Sequence, residues 1–107
     1  MQMTLEEFKL AIIDGGFERV YYGSTDSRPS APYVIIEQIR ERVQHANNVP
    51  VLRIKYILVS LYTAKKDIET EKRLTEILKT SAKGYRMDGF YDEDSKMYVQ
   101  EYEVILI

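Results

Sequence analysis

Two long segments rich in β-branched and aromatic residues, 33–43 and 51–62, do most to constrain how this chain can fold. They are joined by the residues QHANNVP. Asparagine tolerates positive φ, and proline cannot donate a hydrogen bond to a β-ladder, so this joint is expected to be a turn. The two segments therefore predict a long antiparallel hairpin around which the rest of the chain must pack.

Helical patterns lie on both sides of this hairpin. Thr4 and Glu7 have the spacing of a capping box, and apolar residues follow at helical spacing as far as a glycine pair. A short first helix is therefore predicted. Asp67 is the expected N-cap of a second helix that ends near residue 82, with Leu74 and Leu78 on its buried stripe.

The remaining segments complete an α+β pattern. Residues 85–91 and 97–107 predict a second hairpin, residues 20–22 a brief strand, and residues 23–32 a loop dense in Gly, Ser, Asp and Pro. We therefore expect a mainly antiparallel sheet of two hairpins, plus the short strand, with two helices packed on one face. With 107 residues, the chain is long enough for a single domain over residues 1–107.

The base of the first hairpin is apolar on both faces. One face, with Ile35, Ile39, Ile54 and Leu58, is predicted to be the core face beneath the helices. The opposite face would bury several hundred Å² of apolar surface at ~25 cal/mol per Å², so it needs a second cover. That cover is expected to be the loop 23–32, the first helix, or another subunit. The side chains that need covering are Val34, Ile36, Ile57, Val59 and Leu61.

If another subunit is the cover, the five apolar residues form a candidate assembly interface, and charged residues extend it. The tip of the hairpin is expected to be basic on the same outer face, with four cations that repel unless acid is supplied nearby. Acidic residues on one face of the last strand could supply it from a neighbouring subunit, and head-to-tail contacts of this kind can close into a ring. A solvated charged surface is the alternative. The cations are Arg40, Arg42, Arg53 and Lys55, and the acids are Glu101 and Glu103.

Sequence motifs for chemistry are weak. His45 is the only histidine, and it sits in the predicted turn without a partner for general base catalysis. The acidic run from Asp92 to Ser95 lacks the glycine and spacing of a calcium loop, and the chain has no cysteine. We therefore predict no catalytic, cofactor or metal site, and neither an enzyme nor a small-molecule substrate.

Net charge and hydropathy add two further expectations. The formal net charge is −2, which favours neither nucleic acid nor membrane surfaces, although a DNA contact by the basic tip with Tyr56 nearby stays an alternative. There is no signal peptide pattern at the start and no apolar stretch of the ~18 residues needed for a membrane span, so no membrane association is expected.

Several short sequence segments, taken in order, resemble those of a known protein family. These are the strand opening Pro32-Tyr33-Val34, the strand ending Leu61-Tyr62-Thr63, a helix that follows a Lys-Asp step, and an apolar last strand. In this order they resemble the tail-terminator and tail-completion (head–tail joining) proteins of tailed bacteriophages and prophages. The resemblance covers most of the chain from Tyr33 onward.

The resemblance implies an α+β domain that forms a homo-oligomeric ring, often a hexamer. Such a ring contacts other tail or head-connector proteins, and DNA at most passes through its lumen, with no cofactor. The expected location is the virion, after assembly in the cytoplasm of a bacterial host. The alternative is a small non-enzymatic binding or inhibitor module that docks a basic hairpin on an acidic partner.

Overall fold

The chain folds as a mixed α+β domain with a mostly antiparallel sheet and two helices. In a computed structural model, the structure describes residues 4–23, 30–81 and 84–106. The strands are arranged in the order β1-β2-β3-β5-β4, with β1 parallel to β2 and the other neighbours antiparallel. The elements are α1 (Leu5–Asp14), β1 (Val20–Tyr22), β2 (Tyr33–Ala46), β3 (Val49–Thr63), α2 (Ile68–Ser81), β4 (Gly84–Asp92) and β5 (Met97–Leu106).

Helix α1 begins and ends where its local sequence predicts. The Glu7 amide donates to the Thr4 hydroxyl at 3.1 Å, and the Thr4 amide donates to the Glu7 carboxylate at 3.2 Å. This reciprocal pair is the predicted capping box. Gly16 leaves the helix at a φ of 107°, a conformation that side chains other than glycine rarely adopt. Phe8 and Ile12 lie fully buried on its inner face.

Helix α2 is held at its start by Asp67 and at its centre by the sheet. Asp67 accepts from both the amide (3.1 Å) and the hydroxyl (2.7 Å) of Thr70. These two hydrogen bonds come first among the causes that hold the pKa of Asp67 below its ordinary value of 3.8. Leu74 and Leu78 are fully buried, as predicted. Strand β5 anchors the helix through Tyr102, whose hydroxyl donates to the Glu71 carbonyl at 3.3 Å.

The first hairpin is longer, and its turn shorter, than the sequence predicts. Only Asn47 and Asn48 form the turn, with φ values of 52° and 65°. Two residues with positive φ match the right-handed twist of a β-ribbon, so the flanking residues continue the strands. His45 therefore lies in β2 and Pro50 in β3, where a register shift between Gln44 and His45 accommodates the proline. The prediction of a seven-residue turn was wrong.

The two helices cover the face of the sheet opposite to the predicted one. The pairing of Val34 with Leu61 and of Ile36 with Val59 agrees with the predicted register. These side chains, however, form one core cluster with Phe8 and other residues from both helices. The face that includes Ile35 and Leu58, predicted to be the core, is the other one. The central part of the predicted loop, residues 24–29, lies outside the described residues.

Strand β5 explains this choice of face. The middle of the strand alternates between charged and apolar residues, with Glu101 and Glu103 on one face and Tyr102, Val104 and Leu106 on the other. Burying unpaired carboxylates beneath the helices would be costly, so the apolar set of β5 must face them. Because β5 pairs with β3, the same face of β3 is fixed as the core face.

Candidate assembly surface

The five apolar residues whose expected cover was the loop 23–32, the first helix or another subunit lie in the hydrophobic core. Their relative exposure is 0% or 1%, and helices α1 and α2 of the same chain supply the cover that the sequence required. A second subunit is therefore not what shields them, and as interface residues they were wrongly assigned. They are Val34, Ile36, Ile57, Val59 and Leu61.

The opposite side of the sheet, which we call the open face, is the surface that remains without a helix. No described helix packs on it, because the buried residues of α1 and α2 join the cluster on the other side. Its apolar side chains are buried or half-buried. They are Tyr33, Ile35, Ile54, Tyr56, Leu58, Tyr62, Val99 and Ile105.

Aromatic rings form one end of the open face. Tyr33 and Tyr62 stack with their ring centroids 4.6 Å apart, and Tyr21 meets Tyr33 edge-on at 6.4 Å. Phe90, opposite Val99 in the neighbouring strand pair, is 47% exposed. Burial, followed by the nearby carboxylates of Glu101 and Asp92, raises the pKa of Tyr62. Its hydroxyl therefore stays neutral, and the rings form an amphipathic surface suited to protein contact.

Acidic side chains cross the middle of the open face. Glu101 lies between Ser60 of β3 and Asp88 of β4, and Glu103 lies beside Leu58. Glu37 of β2 lies opposite Leu58 from the other side. The predicted acidic pair Glu101 and Glu103 therefore belongs to a wider acidic stripe whose carboxylates come from three strands, β2, β5 and β4.

A β-bulge divides the predicted basic tip between the two faces. The register of β2 on β3 shifts between Gln38 and Arg40, so Arg40 lies opposite Tyr56 rather than opposite Lys55. One extra residue reverses the alternation of every side chain beyond it. Arg40 and Arg42 consequently join the open face, whereas Arg53 and Lys55 project from the other. The prediction of four cations on one face was wrong.

The bulge also gives each pair of cations an acidic or aromatic neighbour. Arg40 lies over the ring of Tyr56 at 4.0 Å and reaches Glu103 at 3.9 Å. On the other side of the ribbon Arg53 bonds the Glu41 carboxylate at 2.9 Å. These pairs are largely exposed, so each stabilises the fold by at most about 1 kcal/mol. The close like-charge repulsion expected from the sequence is thereby avoided.

Beyond the bulge the first hairpin projects as a two-stranded ribbon, residues 39–54. In the described part of the chain, β1 pairs with β2 only as far as Ile36, and β5 pairs with β3 only from Lys55. The ribbon is roughly 25 Å long at ~3.3 Å per residue, and it contributes to the 51 Å long axis of the molecule. Isolated two-stranded ribbons are marginally stable in water, so this projection is suited to meeting a partner.

Residues considered for chemistry have ordinary surroundings. His45 is exposed on the ribbon. Asp92 accepts from the Asp94 amide at 3.2 Å and from the Ser95 hydroxyl at 2.7 Å, so it closes its own turn. Across residues 4–23, 30–81 and 84–106, no three His, Cys, Asp or Glu side chains gather as a metal site requires. Neither described helix has the length and apolar character needed to cross a membrane.

Comparisons of the sequence with protein-family models and with curated proteins give no match. No protein-family model matches the chain, and no curated protein matches it either.

Most of the open face was missed by sequence reasoning, although a signal for it was present. From Glu101 to Val104, strand β5 alternates between charged and apolar residues, whereas the base of the first hairpin is apolar on both sides. Carrying the face of β5 across to β3 would have assigned Ile35, Tyr56 and Leu58 to the exposed side. The bulge at Ile39 has no comparable signal, because no glycine or proline marks it.

Proposed function

We propose that this protein is a structural subunit of a tailed-phage or prophage virion, acting at the head–tail junction or tail end by assembling into a ring. The observation that carries the proposal is a sheet with apolar side chains on both faces, of which the described helices cover only one. The tail-terminator or tail-completion role rests in addition on the resemblance of the sequence pattern. No catalysis and no cofactor enter this function.

The apolar content of the open face supports a contact of modest size. Tyr33, Ile54 and Val99 are at most 8% exposed, so most of the available apolar area comes from the five half-buried members. If each of these five lost roughly 50 Å² on assembly, the contact would remove roughly 250 Å² of apolar surface from one subunit, which at ~25 cal/mol per Å² corresponds to roughly 6 kcal/mol before the cost of association is subtracted. Charged and polar side chains of the same face would supply most of the remainder of the ~800 Å² per partner of a standard stable interface.

The charges on the open face favour a contact between different parts of two subunits. The acidic stripe with Glu101 and Glu103 lies next to Arg40 and Arg42 on the same surface. A neighbour displaced along the ribbon would bring the arginines of one subunit over the acids of the next. Such a contact is head-to-tail, and repeated contacts of this type form a ring when the rotation closes.

Sedimentation velocity over a concentration series, with negative-stain electron microscopy of the larger species, tests the proposal. Leu58→Asp introduces a charge at the centre of the open face and should abolish the oligomer while circular dichroism shows an unchanged fold. Ile68→Asp is the matched control, because Ile68 is 59% exposed at the start of α2, on the helix-covered side. A wild-type protein that stays monomeric at millimolar concentration, or an oligomer that Leu58→Asp leaves intact, would contradict the proposal.

The alternative function, a binding module that docks a basic hairpin on an acidic partner, has weaker support. The bulge separates the four cations, and Glu41 neutralises Arg53. A monomeric wild type that binds polyglutamate, and loses this binding on Arg42→Glu, would favour the alternative over the ring.

A further inference from the structure

A small cleft lies between the segment that joins α1 to β1 and the first turns of α2. Its volume is about 200 Å³, which is larger than one phosphate group. The lining includes Gly16, Phe17, Glu18, Arg19, Thr70 and Arg73. None of these residues belongs to the predicted assembly interface or to the apolar set of the open face, and two of them are arginines.

The glycine pair at the end of α1 lets α2 approach and hold Arg73 in place. A β-carbon at Gly15 would collide with the Ile77 side chain. A β-carbon at Gly16 would lie only 3.1 Å from Nη1 of Arg73. The guanidinium of Arg73 also lies over the ring of Phe17, at 5.4 Å from its centroid. One face of the guanidinium is therefore covered, whereas the N–H groups around its edge can donate to a ligand.

Both arginines of the cleft have donors to spare. Within the described ranges, neither guanidinium forms a side-chain hydrogen bond or an ion pair, although Arg19 is half-buried. Arginine stays charged at any pH near neutrality, so two of them in one cleft make its local potential more positive. An anion that enters the cleft can accept hydrogen bonds from both.

Two acids lie near the cleft, and neither occupies these donors. Glu18 is exposed and forms no ion pair with a described residue. The pKa of Asp67 is lowered first by hydrogen bonds from Thr70 and to a lesser extent by attraction to Arg73. Both carboxylate oxygens of Asp67 already accept from Thr70. The cleft is therefore suited to recognising an anion by directed hydrogen bonds, with an affinity in the millimolar range, rather than by a high net charge.

The number of donors narrows the chemistry of the ligand. One guanidinium is enough for a carboxylate, because two parallel N–H groups meet its two oxygens. Two guanidiniums offer more donors than one carboxylate accepts in this way. A phosphate group attached to a ligand has three acceptor oxygens and about two negative charges at neutral pH, so it matches both arginines. The volume of the cleft leaves room for part of the group that carries the phosphate.

We propose that this cleft binds a phosphate group, as free phosphate or as a phosphate ester, through Arg19 and Arg73. Arg73 donates from the edge of the guanidinium that Phe17 leaves open, and Arg19 supplies the second set of donors. The site goes beyond ring assembly and does not depend on it, because it shares no residue with the surface proposed for the ring.

Nuclear magnetic resonance titration of the arginine side-chain Nε–H signals tests the site. Inorganic phosphate, phenyl phosphate and benzoate are the probes, and chloride keeps the ionic strength constant. The two phosphates should give saturable shifts at Arg19 and Arg73, and the tighter of them should bind about tenfold more tightly than benzoate. Whichever phosphate binds more tightly identifies the ligand as an ester or as free phosphate. Shifts that do not saturate, or equal affinities for benzoate and both phosphates, would overturn the proposal.

Substitutions distinguish a site with directed donors from general attraction of anions. Arg19→Gln and Arg73→Gln should each weaken binding of the tighter phosphate about tenfold, and Arg73→Lys, which keeps the charge but loses the planar fork, should weaken it several-fold. Lys72→Gln is the matched control, because Lys72 is the exposed neighbour of Arg73 on α2. Thermal melts without ligand check that each variant is folded. Wild-type affinity in Arg73→Lys, or an equal loss in Lys72→Gln and Arg73→Gln, would refute the site.

Discussion

Alanine substitutions at Ile35 and Ile36 compare the two faces of one strand at adjacent positions. Ile36 is 0% exposed within the core cluster, whereas Ile35 is half-buried on the open face. Ile36→Ala removes buried carbons worth about 2–3 kcal/mol in transfer free energy and leaves an enclosed cavity, for a total of about 3–4 kcal/mol. Ile35→Ala should cost about 1 kcal/mol or less, because its side chain is partly hydrated and no closed cavity forms.

Urea unfolding followed by circular dichroism measures both values. The protein is held at low micromolar concentration, below the association expected for the open face, so that only the stability of the subunit is compared. If the slope m is unchanged, the shift in midpoint reports the change in free energy of unfolding directly. In a thermal melt, Ile36→Ala should lower the midpoint by roughly 15 °C or more, and Ile35→Ala by only a few degrees.

The order of the two effects decides between the faces. The sequence-based prediction, with Ile35 in the core, requires the larger loss at Ile35, and the structure requires it at Ile36. A loss at Ile35 equal to or greater than the loss at Ile36 in the dilute subunit would refute the assignment of the open face. At high concentration, Ile35→Ala should also weaken the oligomer, and this second effect is visible by sedimentation.

Three smaller predictions concern local structure. Tyr102→Phe removes the hydroxyl that bonds the Glu71 carbonyl and should cost about 1 kcal/mol in urea unfolding, with an unchanged circular dichroism spectrum. Hydrogen bonds from Thr70 lower the pKa of Asp67 in the folded state, so the ionised carboxylate stabilises the fold above pH 3.8, and this stabilisation is lost as the pH falls through the folded pKa. Thermal melts over this pH range should show the loss in the wild type, and the contribution of residue 67 to the pH dependence should be absent in Asp67→Asn. Asn48→Ala should destabilise the ribbon by about 1 kcal/mol, and Asn48→Gly should be tolerated, because the position has positive φ; equal melting temperatures for the two variants would contradict this.

Local signals in the sequence predicted the ends of the elements well. The capping box at Thr4, the cap at Asp67 and the glycine exit from the first helix each depend on residues within a few positions, so they can be recognised without knowing the fold. The pairing of Val34 with Leu61 was also predictable, because two long apolar segments joined by a short turn have few possible registers.

Features that depend on distant parts of the chain were less accessible. Which face of the first hairpin the helices cover depends on how β5 pairs with β3, a contact between segments about 45 residues apart. The bulge before Arg40 has no marker in the local sequence, and it decides which cations share a face.

The irregularity at Ile39 sets the phase of everything beyond it. Gln38 lies opposite Ile57 and Arg40 lies opposite Tyr56, so deleting Ile39 would join two regular stretches of the ladder and leave Arg40 and Arg42 on the side they now occupy. Losing the bulge without losing the residue would instead turn both arginines to the opposite side of the projecting arm while the base below stayed in register. The charged surface of the arm therefore depends on where one extra residue is accommodated, and a change at that point alters this surface while leaving the hydrophobic interior untouched.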